Sequence, residues 1–483
     1  MMLYNISLIS MLALVVVPAL LFSLLILIKG LLNFSRTGPG IKSEILKHYR
    51  VYSIYALLRL FLFVLIINVF LSAIGFFIYL SVIILFKSNY SPIVFTVISF
   101  LSIGYFSFVQ FCKNLLFVPS NIILSSQYSM SNFYTLWQWL SPKKIILMQW
   151  VPEIIIAFLI LLAGNTLLQD KSFNLFFVPL LLIFIVAIIP YVSLEFISKL
   201  FSFMTNNVNN KQPNIIMIGS DTLRKDRVGR IRNTQSITPN IDKLVKKSIS
   251  FENCFVPIAR TAPSLLSFFS GLLPWRHKIR DNFSEPTDCQ LDVLPMAKIL
   301  NNNRYTTAVI SDWCGTDLAK FNLGFQWQDL PEDQWNLRYF IRQGPKDIRL
   351  FLSLFLQNHF GRLFLPEIFY LGGVPKGKHL IQRSKSWITQ LSRQKQPFFL
   401  NIFFGTTHPP FGSEYPYYFK YADPNYWGES KFSMARLTEP EEIIRSQKEP
   451  KEAFDLDQII DLYDGTVTNF DDQVADILAS IKE

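Results

Sequence analysis

Asn214-Ile-Ile-Met-Ile-Gly-Ser-Asp-Thr222 is the stretch from which the fold is read. Its continuous apolar run through Gly219 is what a strand buried on both faces of a parallel sheet requires. Ser220-Asp221-Thr222 closes it, so Asp221 falls at a strand's carboxyl end, where open α/β sheets gather their chemistry. Downstream, Thr238-Pro-Asn-Ile-Asp242 predicts a helix through about Lys247, with Pro239 suited to its first turn. Ser250-Phe-Glu-Asn-Cys-Phe-Val256 alternates and predicts a strand. Arg260-Thr-Ala-Pro-Ser-Leu-Leu-Ser-Phe-Phe-Ser-Gly271 predicts a helix with Pro263 as first residue and Gly271 as its stop. Thr261 then stands just before a helix N-terminus, where orphan N–H groups and the positive end of the dipole stabilise an anion. A hydroxyl there has its alkoxide favoured, above all beside a metal bound by a carboxylate such as Asp221. Taken alone, such a threonine reads as a helix cap.

Before this stretch the composition is different. The chain has 483 residues, 51% hydrophobic and only 17% charged, against roughly 25% charged in a soluble domain. A purely soluble globular protein, a disordered chain and a disulfide-stapled mini-protein are excluded. Five apolar runs, at about 6–28, 55–86, 92–118, 146–168 and 174–197, approach or exceed the roughly 20 residues that span hydrocarbon. Residues 119–142, with Trp137 and Trp139, suit an interfacial segment. Glu153 and Glu195 are the carboxylates within the apolar runs, read as lying near helix ends at headgroup level. Twelve of the 46 Lys/Arg but only four of the 35 Asp/Glu fall in residues 1–200, so the basic excess flanks membrane spans. Nucleic acid is excluded as a partner, because no basic cluster carries the interleaved aromatics such sites use. The four cysteines form no CxxC and suggest neither a metal nor a disulfide framework. The expected organisation is a transmembrane helical domain over 1–200, a linker over 201–212, and an α/β domain over 213–483.

The ordered motifs of the second half resemble the sulfatase-like branch of the alkaline phosphatase superfamily. They run from Pro213-Asn-Ile-Ile-Met-Ile-Gly-Ser-Asp-Thr-Leu-Arg224 through Thr238-Pro-Asn-Ile-Asp-Lys-Leu244 to Thr261-Ala-Pro-Ser-Leu-Leu-Ser-Phe-Phe-Ser-Gly-Leu-Leu-Pro-Trp-Arg-His277. Arg304-Tyr-Thr-Thr-Ala-Val-Ile310 looks like the family's next strand, and Phe398-Phe-Leu-Asn-Ile-Phe-Phe-Gly-Thr-Thr-His408 like its strand ending in an active-site histidine. Asp461 to Val474 looks like the helix before its last metal-binding strand. The resemblance implies Asp221 as a metal ligand, Thr261 as nucleophile and metal ligand, and a divalent cofactor (zinc, manganese or calcium). It also implies that His408 contacts the substrate or protonates the leaving group, and it leaves Arg224 between phosphate binding and a plain surface role. His277 is expected to be structural.

Departures from the pattern set the subclass. Type I sulfatases need Cys or Ser at the nucleophile position for conversion to formylglycine, followed by Pro-Ser-Arg; this chain has Thr261 and Leu265. Where sulfatases carry a Lys and a His, Ser311-Asp-Trp-Cys314 has neither. A Thr nucleophile behind five spans resembles the bacterial phosphoethanolamine and phosphoglycerol transferases. The resemblance therefore implies phosphoester chemistry on membrane lipids or envelope glycans, with a sulfuric ester hydrolase as the alternative. No Asp-His pair follows residue 213, so the domain reads as truncated before its last ligand strand, with a catalytically inactive relative as a further alternative. Asp464, Asp471 and Asp472 fit the exposed side of a helix. The resemblance puts the catalytic domain outside a bacterial cytoplasmic membrane, whereas Arg36, Lys42, Lys47, Arg50, Lys143 and Lys144 favour the cytoplasm for five spans. Oligomeric state is not legible.

Overall fold

The computed structural model describes residues 8–36, 40–86, 89, 91–126, 133–168, 212–284, 294–334, 336–371, 374, 376–409, 411–426, 428, 430 and 455–482. Two compact units divide the chain: 1–116 with 136–205 and 344–355, and 117–135 with 206–343 and 356–483.

The first unit is helical. Helices α1 (Leu8–Arg36), α2 (Gly40–Phe86) and α3 (Pro92–Phe117) contain three stretches long and apolar enough to cross a membrane: Ala13–Phe34, Ile45–Ile83 and Pro92–Phe117. α2 is longer than the apolar run that announced it and is interrupted by non-helical geometry at Tyr49. A Cβ on Gly75 would lie 2.8 Å from the Ser99 backbone, so α2 and α3 approach through small residues, as packing without a hydrophobic drive between helices demands. The short helices α4 (Pro119–Ser126) and α5 (Tyr134–Trp139) follow, then α6 (Pro142–Leu168). The fourth apolar run lies in α6, where Glu153 sits nearer the middle than an end. The fifth run and Glu195 lie outside the described residues. The segment 119–142, read from the sequence as interfacial, divides between the units: residues 117–135 belong to the second. There Tyr415 N donates to Phe117 O at 2.9 Å and Tyr134 Oη to Gly428 O at 3.0 Å.

The second unit is α/β. Its sheet runs β1 (Ile215–Ser220), β6 (Phe398–Phe404), β4 (Thr306–Ser311) and β5 (Trp327–Asp329) in that spatial order, all parallel. A two-residue antiparallel ribbon, β2 (Ile231–Arg232) with β3 (Gln235–Ser236), lies outside it. All of β6 is buried, because helices cover both faces of the sheet. On one face Phe399 and Phe403 pack with Leu266 and Phe269 of the helix Thr261–Ser270. On the other, Phe398, Leu400, Ile402 and Phe404 meet Leu380 and Ile388 of Gly377–Ser392 and Phe470 and Val474 of Leu456–Lys482. Two expectations fail here. Residues 250–256 form no strand; Phe251 and Phe255 are exposed, and alternation makes a strand only where a neighbouring backbone completes the ladder. Asp464 and Asp471 are fully buried rather than exposed, because their helix is enclosed on more than one side.

Candidate active site

Register builds the site. Ser220 pairs with Phe404, and Ser311 with Phe403, so Asp221, Gly405 and Asp312 follow the ends of three adjacent strands along one rim. The Asp221 N–H donates to Phe404 O at 2.8 Å, extending the ladder by one bond. Thr222 takes a left-handed backbone (φ 58°) and its hydroxyl donates to Thr407 O at 2.7 Å. Thr407 Oγ1 donates in turn to Asp221 O. The turns after β1 and β6 are thus stitched together, and the Asp221 side chain is held half-buried at their junction.

The helix carrying the threonine begins two residues earlier than the sequence pattern predicts. Arg260 is the extended cap (φ −142°, ψ 144°) and Thr261 is the first helical residue. Pro263 moves to third, where its missing N–H still costs nothing. Gly271 ends the helix in a left-handed conformation, as expected. Thr261 Oγ1 donates to Asp221 Oδ2 at 2.9 Å, which brings two of the four predicted residues into direct contact. The next orphan donor, Ala262 N–H, is met by Asn282 Oδ1 at 2.9 Å. Asn282 escaped sequence reading, since nothing in its local pattern marks a side chain that caps a helix 20 residues back.

His408 ends the turn after β6, its ring edge-on to Trp313 with centroids 4.7 Å apart. Among the described residues it makes no hydrogen bond to Asp221 or Thr261. Arg224 turns to Asp226, with Nε to Oδ1 at 2.8 Å, on an open surface. His277 is buried; its Nδ1 accepts from Ile279 N, which leaves Nε2 to donate to Ser267 Oγ at 3.0 Å. Burial lowers its pKa.

The turn after β4 supplies what sequence reading passed over. Asp312 accepts from Cys314 N at 3.1 Å and Gly405 N at 2.8 Å, locking the ends of β4 and β6 together. Full burial pushes its carboxyl up to about 6. Burial and the nearby Asp221, Asp312 and Asp317 carboxylates raise the Cys314 thiol well above its ordinary value. In sequence the stretch stands out only for lacking two cations, and its acidic and thiol groups carry no motif of their own. The helix Leu456–Lys482 braces the rim from outside: Tyr463 Oη donates to Thr222 O at 2.7 Å, and Asp464 pairs with Arg232 at 2.9 Å.

A carboxylate and a hydroxyl in contact at a helix N-terminus are hard oxygen donors of the kind a divalent ion takes. The fit is partial, because among the described residues no three His, Cys, Asp or Glu side chains converge as a metal cluster. An N-acetylgalactosamine-6-O-sulfatase of Bacteroides thetaiotaomicron is 29% identical over 110 residues, 22% of this chain and 22% of the relative. Arylsulfatase A of Bos taurus is 30% identical over 104 residues, 21% of this chain and 20% of the relative. Each match therefore spans about a fifth of the relative's length. The crystal structure of a phosphonate monoester hydrolase of Agrobacterium radiobacter aligns at 18% identity and a TM-score of 0.36, covering 56% of this chain and 59% of that one. The sulfatase family model matches residues 213–483, more than half of the chain, and the chain belongs to the sulfatase family.

Proposed function

We propose that this protein is a membrane-anchored, divalent-metal-dependent enzyme that transfers or hydrolyses phosphate esters of envelope lipids or glycans through Thr261. The observation that carries the reading is the Thr261 hydroxyl, held by the Asp221 carboxylate at 2.9 Å on the first residue of a helix. In the first step Thr261 Oγ bonds to phosphorus as its proton passes toward Asp221, and the bond from phosphorus to the leaving alcohol breaks. His408 gives that alcohol its proton, a role imidazole suits near neutral pH. Water or an acceptor alcohol then displaces Thr261 in the second step. Asp221 and Thr261 would hold the metal, which supplies Lewis-acid stabilisation of charge on the ester oxygens when bound. Arg224 is offered to a substrate phosphate only if it leaves Asp226.

Mass spectrometry of the chain after incubation with a phosphodiester is expected to show phosphate on Thr261, and Thr261→Ala is expected to lose it. Wild-type labelling of that variant would remove Thr261 as nucleophile, and no labelling of the wild type would favour a non-catalytic relative. A second reading, hydrolysis of sulfate esters, is favoured by the sulfatases among the relatives. It requires turnover of an aryl sulfate without formylglycine, which Thr261 cannot form.

For orientation we adopt the outer face of the cytoplasmic membrane, from the transferase resemblance and against the loop charges. The exposed Cys254 tests it: a membrane-impermeant thiol reagent is expected to label Cys254 on intact cells, and labelling only after lysis would place the domain in the cytoplasm.

A further inference from the structure

The loop that follows the nucleophile helix is fastened at both ends and turns its charges and rings outward. It reads Leu273-Pro-Trp-Arg-His-Lys-Ile-Arg-Asp-Asn-Phe283 and opens on the short turn Pro274–His277, which Lys278 closes in a left-handed conformation (φ 69°). From there the side chains alternate. His277 bonds to Ser267 Oγ at 3.0 Å, and Ile279 belongs to the core with Leu266 and Phe269. Lys278 and Arg280, between and after them, are exposed. At the far end Asn282 Oδ1 accepts from Ala262 N at 2.9 Å, and Lys320 Nζ donates to Asn282 O at 2.8 Å. The loop is thereby held next to Thr261.

What this frame leaves in the open is of two kinds. Trp275 is 67% exposed and Phe283 61%, and a loop so fastened cannot fold such rings inward. Arg276, Lys278 and Arg280 are exposed beside them, and none forms an ion pair among the described residues. Arg260 stands at the same helix end, 3.8 Å from Asp281. The surrounding charge is lopsided in the same sense. Residues 224–283 hold twelve Lys/Arg against four Asp/Glu, whereas residues 284–483 hold twenty-one against twenty-six. Positive charge in this half of the chain therefore gathers in the segment that carries the nucleophile. In sequence the loop stands out only for its family resemblance; exposure reveals that its cations and rings share the surface.

We propose that the loop 273–283 docks on the surface of an anionic lipid bilayer. Trp275 and Phe283 enter the headgroup layer, and Arg276, Lys278 and Arg280 pair with lipid phosphates. Rings of this kind favour that depth, and cations beside them are drawn to an anionic leaflet. The chain carries three stretches long and apolar enough to cross a membrane, so lipid phosphate is the polyanion it meets at the highest effective concentration. Docking sets Thr261 beside a layer of phosphate esters, because Asn282 ties the loop to the first turn of the nucleophile helix. The surface does not rest on the phosphoester reading: docking is measured without turnover, and either can fail alone.

The test uses the full-length chain in lipid nanodiscs, in a Cys254→Ser, Cys289→Ser background with a fluorophore on Trp275→Cys; Cys112 and Cys314 are buried. Lys395→Cys, exposed and just before the opposite end of β6, carries the control label. Lipids with a headgroup nitroxide are expected to quench the label at 275 several-fold more in phosphatidylglycerol discs than in phosphatidylcholine discs. That excess is expected to vanish in about 1 M salt, where charges are screened beyond about 3 Å. Arg276→Gln with Arg280→Gln is expected to weaken docking about fivefold for each cation removed, about twenty-five-fold together. Quenching no stronger than at 395, or indifferent to lipid charge and salt, overturns the proposal. So does a label shielded from water without lipid quenching as more chains are loaded per disc, which assigns the face to a second copy. Should the paired variant fail to fold, the lipid and salt dependence of the labelled chain decides; should Trp275→Cys fail, Leu273→Cys takes the label.

Discussion

Replacing Gly405 with alanine tests whether the rim is as tight as its geometry implies. The added Cβ would meet Cys314 Sγ at 2.7 Å, Asp312 Oδ1 at 2.8 Å and Trp313 Nε1 at 3.0 Å. Comfortable contact begins near 3.5 Å, so the sulfur must retreat by roughly 1 Å. Asp312 cannot follow it, because its two oxygens are pinned by Gly405 N and Cys314 N. Overpacking of this kind costs about 1–3 kcal/mol, equivalent to a fall in melting temperature of about 2–12 °C for a unit of this size. A shift of about 1 Å at reacting groups costs about a hundredfold in rate. Calorimetry in detergent and turnover of a phosphodiester would read the two effects. Gly271→Ala is the control: its φ of 68° imposes strain, but its Cβ would meet nothing within 4 Å. That variant is expected to lose about 1–2 kcal/mol and to keep its activity. If Gly405→Ala matches the wild type in both stability and rate, the packed rim is wrong.

Asp471 accepts from Ile241 N at 2.7 Å and from Asn240 Nδ2 at 2.8 Å, capping a helix remote in sequence. Urea unfolding of Asp471→Ala should show a loss of about 2–3 kcal/mol, while the neighbouring, exposed Asp472→Ala should lose less than about 1 kcal/mol; equal losses would show that the buried cap contributes nothing. Burial lowers the Lys376 ammonium from 10.5 to about 7. The unfolded chain therefore binds the extra proton between those values, and stability rises with pH from about 7 upward. Lys376→Met should flatten that rise in urea midpoints measured from pH about 7 to about 9, and an unchanged slope would assign it to other groups.

Sequence exposed the sheet better than its surroundings. Phe398–Phe404 and Ile215–Ser220 are read correctly because a strand covered on both faces is apolar throughout, which no polar helix face imitates. The error at 250–256 has the opposite cause: Phe251 and Phe255 alternate with polar residues, yet alternation reports only a side-chain pattern, and a strand also needs a neighbour. The sequence pattern misplaces Asp464 and Asp471 for a related reason. Polar residues on an amphipathic helix default to solvent, and only tertiary structure reveals that Arg232 and the N-terminus of Pro239–Val245 reach across to them. The helix 346–355, written inside the α/β half of the sequence, joins the helical unit, where Asn33 donates to Asp347 at 2.7 Å.

In the site, legibility divides along a physical line. Asp221 and Thr261 could be found because their positions are set by local rules, a strand's end and a helix's first turn, which composition marks. Asn282, Asp312 and Cys314 could not, because what matters in them is the register between β4 and β6 and the fold-back of a loop. The two groups are nevertheless mechanically one. Asp312 fixes Gly405, Gly405 leaves room for Cys314, and Gly405 follows Phe404, whose carbonyl holds the backbone of Asp221, the residue that receives the Thr261 hydroxyl. A substitution anywhere along that line is therefore expected to act on the nucleophile's carboxylate. Arg224, equally polar and nearer to Asp221 in sequence, stands outside it with Asp226. Proximity in sequence is a poor guide to this site, and the order of the strands is a good one.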